Sequence, residues 1–456
     1  MENYTKFTID NFRCFSSEQT LVLAVPDQGK IGSGITYIVG PNNSGKTTLI
    51  ESLNFRVGSS INSSDKRKEG ELEFKYYNDD ALVADLRLAE TSNKLIDYCP
   101  QKSDLHVEVI TSRRHWQPAI TGHAHLHRTV KQLDNISSAL QGIANDGHKY
   151  AEFTEYVKQI FPEFNKWKVG HENNQSHIEY ISQDGVSHKS DLLGDGIIAV
   201  IRILIQFFNK ESSVLIIDEP ELSLHPLAQK KLIKLIAEHA QNRQIIIVTH
   251  SPYFISWEYI QNGAILNRVA KENEANSRIY TLGKYGDYEK LINGANWQQP
   301  FLMDIVSKEI FFQDNILFLE GQEDVGLLQR YFADKEINLF GYGVRGYNRF
   351  ELAFKLAKDL GIKKACILID SPGLQSTEPN ENTIKQRLEN EYESTKYKVV
   401  QWNKADIRDK ESYNFSAKEG YYTKDGELKP EEELDDFHQK IDSISTYFLE
   451  KTEKTK

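Results

Sequence analysis

The sequence is poor in cysteine and contains no long apolar run. Its 456 residues include three cysteines, Cys14, Cys99 and Cys366, which are odd in number and far apart. This pattern excludes a disulfide framework and a zinc ribbon and is typical of reduced thiols, so we expect a cytoplasmic protein. No stretch approaches the ~18 apolar residues of a membrane span, so we expect no membrane partner. Residues 1–15 lack an apolar core, and no signal peptide is expected.

An excess of positive charge is also absent. The formal net charge is −11, which excludes a general polyanion binder and confines any contact with nucleic acid to a local surface.

The length allows about two to four domains. Strands that alternate with helices predict an α/β fold with parallel sheets. We place two domains at residues 1–300, with a polar, turn-rich insertion at about 56–190, and at residues 301–456.

A glycine-rich segment after the third predicted strand carries the clearest chemical motif. Its residues are Gly40, Pro41, Asn42, Asn43, Ser44, Gly45, Lys46, Thr47 and Thr48. They match G-x-x-x-x-G-K-[ST] between a strand and a helix, where backbone amides at the helix N-terminus can hold phosphate groups. Lys46 is predicted to reach the outer phosphates of a nucleotide, and Thr47 to offer a hydroxyl to Mg²⁺.

Two adjacent acids, Asp218 and Glu219, follow an apolar strand predicted at residues 214–217. At the tip of this strand Asp218 is predicted to hold the metal ion, and Glu219 is predicted to polarise the attacking water. The alternative interpretation is a helix N-cap with a favourable charge in the first turn. A second strand, predicted at residues 244–248, leads to His250.

The order of these motifs resembles the ATP-binding-cassette (ABC) ATPases of the recombination and repair type. The segments that carry the resemblance are Gly40–Thr48, Asp218–Pro220, Ser223–Pro226 and Thr249–Ser251. The resemblance implies an ABC-type P-loop ATPase domain that uses ATP and Mg²⁺. It also implies that residues 221–226 form the D-loop and that His250 is the catalytic switch histidine.

The segment Ser190–Gly196 is similar to the signature sequence of that family, in a divergent form. Gly194 and Gly196 open an apolar helix, whose N-terminus offers a second site for an anion. In the family the signature meets the γ-phosphate of ATP that a second subunit binds. The resemblance therefore implies a head-to-tail homodimer or a higher homo-oligomer. An ordinary turn is the alternative interpretation.

A second set of acids lies beyond residue 315. Glu320 ends an apolar strand, Asp324 lies four residues later at the start of a helix, and Asp370 ends another strand. Carboxylates that converge from strand ends bind Mg²⁺, which can activate water and clamp a phosphodiester. We therefore predict catalytic roles for Glu320, Asp324 and Asp370, with Glu320 and Asp370 as metal ligands.

This region resembles a TOPRIM domain, whose first motif, E-G-x-x-D, is matched by Glu320, Gly321 and Asp324. An ATPase followed by a TOPRIM-like α/β domain resembles the OLD (overcoming lysogenisation defect) family of ATP-dependent nucleases. The resemblance implies that ATP controls Mg²⁺-dependent cleavage of DNA or another nucleic acid, in bacterial defence against phage.

One departure from the TOPRIM pattern leaves a second interpretation open. The usual D-x-D motif reads Asp370-Ser371-Pro372 here, and a later acid, Asp409 or Glu411, is the candidate for the missing ligand. If the site is degenerate, the protein is an ATPase sensor or scaffold that holds and releases a partner effector protein.

Overall fold

The chain forms two compact units, Met1–Thr281 and Leu282–Lys456. The domain boundary predicted near residue 300 lies outside the described residues. The mixed α/β class predicted from the sequence is confirmed. The computed structural model describes residues 3–89, 93–99, 107–110, 139–172, 175–182, 185–189, 195–208, 214–288, 307–333, 335, 337–341, 350–371, 396–410 and 418–450.

The N-terminal unit combines three sheets with several helices. Its strands are β1 (Lys6–Asp10), β2 (Gln19–Val22), β3 (Ile35–Val39), β4 (Glu73–Asn78), β5 (Ala81–Leu88), β6 (Leu95–Asp97), β7 (Val107–Ile110), β8 (Phe164–Glu172), β9 (Gln175–Ser182), β10 (Ser187–Lys189), β11 (Val214–Asp218), β12 (Gln244–Val248), β13 (Ile265–Lys271) and β14 (Ser277–Thr281). Its helices are α1 (Lys46–Leu53), α2 (Gly147–Ile160), α3 (Asp195–Phe208), α4 (Pro226–Ala240) and α5 (Trp257–Asn262).

The central sheet has the strand order β14-β13-β3-β12-β11-β7, in which only the β13–β14 pair is antiparallel. Every residue of β3 and β12 is buried, as continuous apolar runs in a parallel sheet require. The C-terminal ends of β3, β12 and β11 therefore lie side by side along one edge. The glycine-rich loop, the Asp218–Glu219 pair and the segment Thr249–Ser251 all begin at this edge. We call Thr249–Ser251 the switch segment, because it contains the predicted switch histidine.

The insertion, which sequence reasoning left without assigned elements, contains regular structure. Strands β4 to β6 join β1 and β2 in an antiparallel sheet of order β2-β1-β4-β5-β6, and β8 to β10 form a separate antiparallel sheet. On β8 the buried Trp167 stacks on Tyr150 of α2 at 5.0 Å between ring centroids, and its Nε1 donates to Thr154. Trp167 of β8 is thus buried against a helix from elsewhere in the insertion, so the sequence of β8 by itself carries a weak signal.

The C-terminal unit has one parallel sheet of order β16-β15-β17-β18. Its elements are β15 (Asn315–Phe318), α6 (Gln322–Phe332), β16 (Asn338–Phe340), α7 (Phe350–Asp359), β17 (Lys364–Ile369), β18 (Tyr397–Gln401) and α8 (Asp435–Leu449). The chain runs outward from β15 to β16 and then returns to β17 on the other side of β15. The strand order therefore reverses between β15 and β17, which is where open α/β sheets bind ligands.

Among the helices of the described ranges, none has the length and apolarity needed to cross a membrane. The acidic run at residues 431–436 does not form one continuous helix. Glu431–Glu433 make a single 3₁₀ turn, and α8 begins at Asp435.

Candidate functional site

The loop between β3 and α1 has the backbone shape that phosphate binding requires. Gly45, the N-cap of α1, has a φ of 108°, and Gly40 has a φ of 139°. A Cβ atom on Gly40 would lie 2.0 Å from the carbonyl oxygen of Val269, because β13 runs directly past the loop. Glycine is therefore required at position 40 by close backbone approach as well as by its dihedral angle.

Lys46 occupies the interior of this loop. Its Nζ donates to the carbonyl oxygens of Gly40, at 3.0 Å, and Pro41, at 2.7 Å. Burial lowers the pKa of Lys46 to about 8, although the charges of Glu219 and Asp218 act in the opposite direction. The ammonium thus donates to neutral carbonyl oxygens. It can exchange these hydrogen bonds for stronger ones to a charged phosphate oxygen.

A cavity of about 630 Å³ opens beside the loop. Of the residues predicted for the nucleotide site, it is lined by Asn42, Asn43, Ser44, Gly45, Lys46, Thr47, Thr48, Asp218, Glu219 and His250. Gly40 and Pro41 do not line it, and they instead supply the carbonyl oxygens that hold Lys46.

The two acids of β11 face this cavity from a constrained turn. Asp218 is the last residue of β11, and Glu219 has a left-handed φ of 47°. The backbone N–H of Glu219 donates to the carbonyl oxygen of Val248 at 2.8 Å. A non-glycine residue in this conformation costs about 1–3 kcal/mol, so the surrounding contacts must hold it there.

The structure also shows what surrounds the start of α3. A Cβ atom on Gly196 would lie 2.6 Å from the carbonyl oxygen of Ser223, so the predicted signature helix packs directly on residues predicted as the D-loop. Asp195 begins the helix, and Gly194 lies outside the described residues.

Sequence reasoning missed the cavity wall supplied by the turn between β13 and β14. Lys271, Glu274 and Ala275 line the cavity there, and Cys14 lines it near Gly45. No local motif marks these residues, because only the pairing of β13 with β3 brings the turn to the loop.

In the C-terminal unit the predicted acids meet at the point where the strand order reverses. Glu320 follows β15 and Asp370 follows β17, and these strands are adjacent and parallel. The backbone N–H of Asp370 donates to Glu320 Oε1 at 2.9 Å. Asp324, in the first turn of α6, accepts from the N–H of Gly321 at 2.9 Å.

These carboxylates are half-buried and lie close enough for their charges to interact. Burial, together with the neighbouring charges of Glu320, Asp324 and Asp406, raises the pKa of Asp370 to about 9. Burial also raises the pKa of Asp324 to about 7; the N–H of Gly321 opposes this shift, and Glu320 and Asp406 add to it. Like charges in a buried cluster disfavour ionisation unless a cation compensates them.

Asp406 was not predicted from the sequence, and it lies in the loop after β18. Its side chain is almost fully buried and accepts from Lys410 Nζ at 2.8 Å, with Lys418 Nζ at 3.6 Å. Asp409 belongs to a different set of contacts, since it accepts from the Gly420 N–H and from Lys429 Nζ. Glu411 lies outside the described residues.

In the part of the chain that the structure describes, no group of three or more histidine, cysteine or acidic side chains is arranged to hold a metal ion. The chemistry of the donors nevertheless fits Mg²⁺, which prefers carboxylate oxygens to nitrogen or sulfur. The acids of the C-terminal cluster supply carboxylate oxygens, and in the N-terminal unit the carboxylate of Asp218 and the hydroxyl of Thr47 are also oxygen donors.

Comparison with known proteins gives one family match and several relatives. Residues 111–256 match a family described as "AAA domain, putative AbiEii toxin, Type IV TA system". Endonuclease GajA from Bacillus cereus (strain HuB5-5) is 28% identical over 159 residues, which are 31% of this chain and 23% of that protein. OLD nuclease from Thermus scotoductus is 27% identical over 172 residues, which are 36% of this chain and 32% of that protein.

Among solved structures, the SMC head domain from Thermotoga maritima matches 62% of this chain and 100% of its own, with 17% identity and a TM-score of 0.40. The chain spans less than a third of the length of Endonuclease GajA and of OLD nuclease. The resemblance predicted from the motifs is confirmed at this level: residues 111–256 match an AAA domain family, and part of the chain is similar to Endonuclease GajA and to OLD nuclease.

Proposed function

We propose that the N-terminal unit binds and hydrolyses ATP in the cavity beside Lys46. The observation that carries this proposal is a single cavity with a cation and a helix N-terminus on one wall and Asp218, Glu219 and His250 on another. The loop amides and Lys46 would bind the phosphates, while Thr47 and Asp218 would hold Mg²⁺. When bound, Mg²⁺ neutralises charge on the transferring phosphoryl group.

Glu219 is the candidate residue that orients and deprotonates the attacking water. Its carboxylate lies in the cavity beside Asp218, and the turn that holds it is fixed to β12. In a head-to-tail homodimer, the start of α3 at Gly196 would complete the site of the second subunit. This pairing follows from the family resemblance.

The Glu219→Gln variant tests the ATPase proposal. We expect kcat to fall by roughly 10²–10⁴, as is usual for loss of a catalytic base, while ATP still binds. Phosphate release measures the rate, and size-exclusion chromatography with ATP measures the dimer, which we expect to persist in the variant. The control is Glu258→Gln, an exposed acid on α5. Unchanged hydrolysis in Glu219→Gln would show that another group activates the water.

We further propose that ATP turnover controls Mg²⁺-dependent cleavage of a nucleic acid by the acids of the C-terminal unit. Glu320, Asp324 and Asp370, which are half-buried, and the buried Asp406 form an acidic cluster at the reversal point of a parallel sheet. Relatives named as an endonuclease and a nuclease support this class of reaction. A role in defence against phage is the matching biological proposal, and phage plating on cells that express the protein would test it.

Plasmid cleavage tests the nuclease proposal. Wild-type protein with ATP and Mg²⁺ or Mn²⁺ is expected to nick or linearise supercoiled DNA, and Glu320→Ala is expected to lose this activity. The control is Glu427→Ala, because Glu427 is exposed in the same unit. Equal cleavage by Glu320→Ala and wild type would place the activity elsewhere or in a contaminant.

One observation favours a second candidate function, an ATPase sensor that holds a partner effector protein. Pro372 occupies the place of the second D-x-D acid, and Lys410 and Lys418 already compensate Asp406. This function predicts that wild-type protein leaves nucleic acids intact under every metal condition. It also predicts that an effector from the same cell co-purifies with the protein and is released when ATP is hydrolysed.

A further inference from the structure

Behind the candidate ATP cavity, Glu221 contacts the switch segment that contains His250. One oxygen of its carboxylate, Oε1, accepts from the backbone N–H of His250 at 2.7 Å. The other, Oε2, accepts from the hydroxyl of Thr249 at 2.8 Å. Glu221 thus uses both oxygens to hold two consecutive residues at the end of β12.

Glu221 and Thr249 lie outside the cavity lining, so they can hold His250 in place but do not face the site of the reaction. His250 and Glu219 line the cavity, whereas the lining contains neither Glu221 nor Thr249 among the described residues. Thr249 is fully buried, so its hydroxyl requires a hydrogen-bond partner inside the protein. Glu221 supplies that acceptor from a turn in which Glu219 and Ser223 both have left-handed φ angles.

A second connection fixes the other end of the switch segment. Ser251 Oγ donates to Gln229 Oε1 at 2.6 Å, and Gln229 Nε2 donates to the carbonyl oxygen of Leu224 at 2.9 Å. The segment 249–251 is therefore tied at both ends to the residues that follow Glu219. Ties of this kind fix the backbone from which the imidazole of His250 projects.

We propose that Glu221 is a positioning residue for ATP hydrolysis, which orients His250 toward the cavity by accepting from the His250 N–H and the Thr249 hydroxyl. The inference rests on the proposed ATPase function. An amide at position 221 has only one acceptor oxygen, so its NH₂ group would face a donor. When the amide oxygen accepts from the His250 N–H, the Thr249 hydroxyl can only accept from the NH₂ group, so the hydroxyl proton loses its acceptor on residue 221.

The Glu221→Gln variant tests this inference in the full-length protein. We expect kcat and kcat/KM to fall together by roughly 10- to 100-fold, since small displacements of a catalytic group have effects of this size. The dissociation constant for ATP should stay within about twofold, because the phosphate contacts at Lys46 are unchanged. The control is Asp85→Asn, which removes another buried carboxylate, on β5 and outside the cavity lining.

A double-mutant cycle with His250→Ala distinguishes positioning from a purely structural role. If Glu221 acts through His250, Glu221→Gln should cause little further loss of kcat in a His250→Ala background. Thr249→Val and Thr249→Ser give an independent comparison should Glu221→Gln fold poorly. The valine variant should lose more kcat than the serine variant, which keeps the hydroxyl.

Two results would overturn the inference while leaving the ATPase proposal intact. One is wild-type kcat in Glu221→Gln, whatever its melting temperature. The other is a loss that adds in full to that of His250→Ala, which would mean that Glu221 acts independently of the histidine. If wild-type protein itself hydrolyses no ATP, the ATPase proposal fails first.

Discussion

The two units each gather carboxylates at the C-terminal ends of parallel strands, but the charges around the acids differ. In the N-terminal unit, Asp218 and Glu219 share a cavity with Lys46 and the N-terminus of α1. In the C-terminal unit, Asp324 and Asp370 are half-buried beside other acids, and their pKa values are raised to about 7 and about 9.

The difference indicates what each site needs from outside the protein. The first site contains its own positive charge, so the groups that it lacks are the nucleotide phosphates that Lys46 would bind. The second site has more negative than positive charge at its centre, although Lys410 and Lys418 lie at its edge. A divalent cation is the ligand that such a cluster favours most.

The largest effect is expected at the cation of the first site. Lys46→Ala should weaken ATP binding by roughly 100-fold or more, about 2.7 kcal/mol, because it removes the charge that meets the phosphates. Titration of full-length protein with a fluorescent ATP analogue measures this loss. Lys30→Ala is the control, since Lys30 pairs with Asp27 on the surface and does not line the cavity. Normal ATP affinity in Lys46→Ala would contradict the assigned site.

An intermediate effect is expected when a buried acid of the second site is neutralised. Without metal, Asp370→Asn should raise the melting temperature, because it removes a carboxyl group whose ionised form is disfavoured first by burial and then by the charges of Glu320, Asp324 and Asp406. With Mn²⁺ the order should reverse, since a ligand that binds only the folded wild type adds about 2.7 kcal/mol at 100 times its dissociation constant. Calorimetry with and without Mn²⁺ measures both changes, and Asp425→Asn is the exposed control.

The outcome of that experiment bears directly on the comparison between the units. If Mn²⁺ stabilises wild type and Asp370→Asn equally, the cluster does not bind the ion, and the sensor function gains support. If only wild type responds, the acids of the second site bind a cation as a group.

The smallest effect concerns pH and the core of the N-terminal unit. His239 stacks on Phe207 at 3.9 Å and contacts Tyr156 edge-on, and burial lowers its pKa, with Glu152 opposing and Arg243 assisting the shift. Because the folded-state pKa is depressed, stability should be lost as pH falls below about 6.5, where the unfolded chain takes up the proton.

Melting curves of wild type and His239→Phe between pH 8 and 5 measure this contribution. The wild-type melting temperature should fall by roughly 1–3 °C more than that of the variant. Asp324 and Asp370 act in the opposite sense, because their raised pKa values favour folding as pH decreases. A variant that follows wild type across this range would show that His239 does not titrate with folding.

Much of the fold was readable because local sequence and burial agree. Strand β12 has the predicted bounds, Gln244–Val248, since a continuous apolar run is what a central parallel strand requires. Helix α4 begins at Pro226, where His225 caps it and proline suits the first helical position. The elements of the insertion could not be predicted from its sequence. Trp167, for example, is buried by contact with α2, and the residues next to it in β8 do not indicate that contact.

The sequence alone determined those site residues that are neighbours along the chain. The loop from Gly40 to Thr48 and the pair Asp218–Glu219 are local arrangements, whose shape follows from glycine dihedral angles and strand ends. Tertiary structure alone decided that Glu221 holds His250, that Lys271 lines the cavity beside Lys46, and that Asp406 joins Asp324 and Asp370. These contacts join residues from separate elements. The order of the strands and the packing of the elements bring such residues together, and a short stretch of sequence does not specify either.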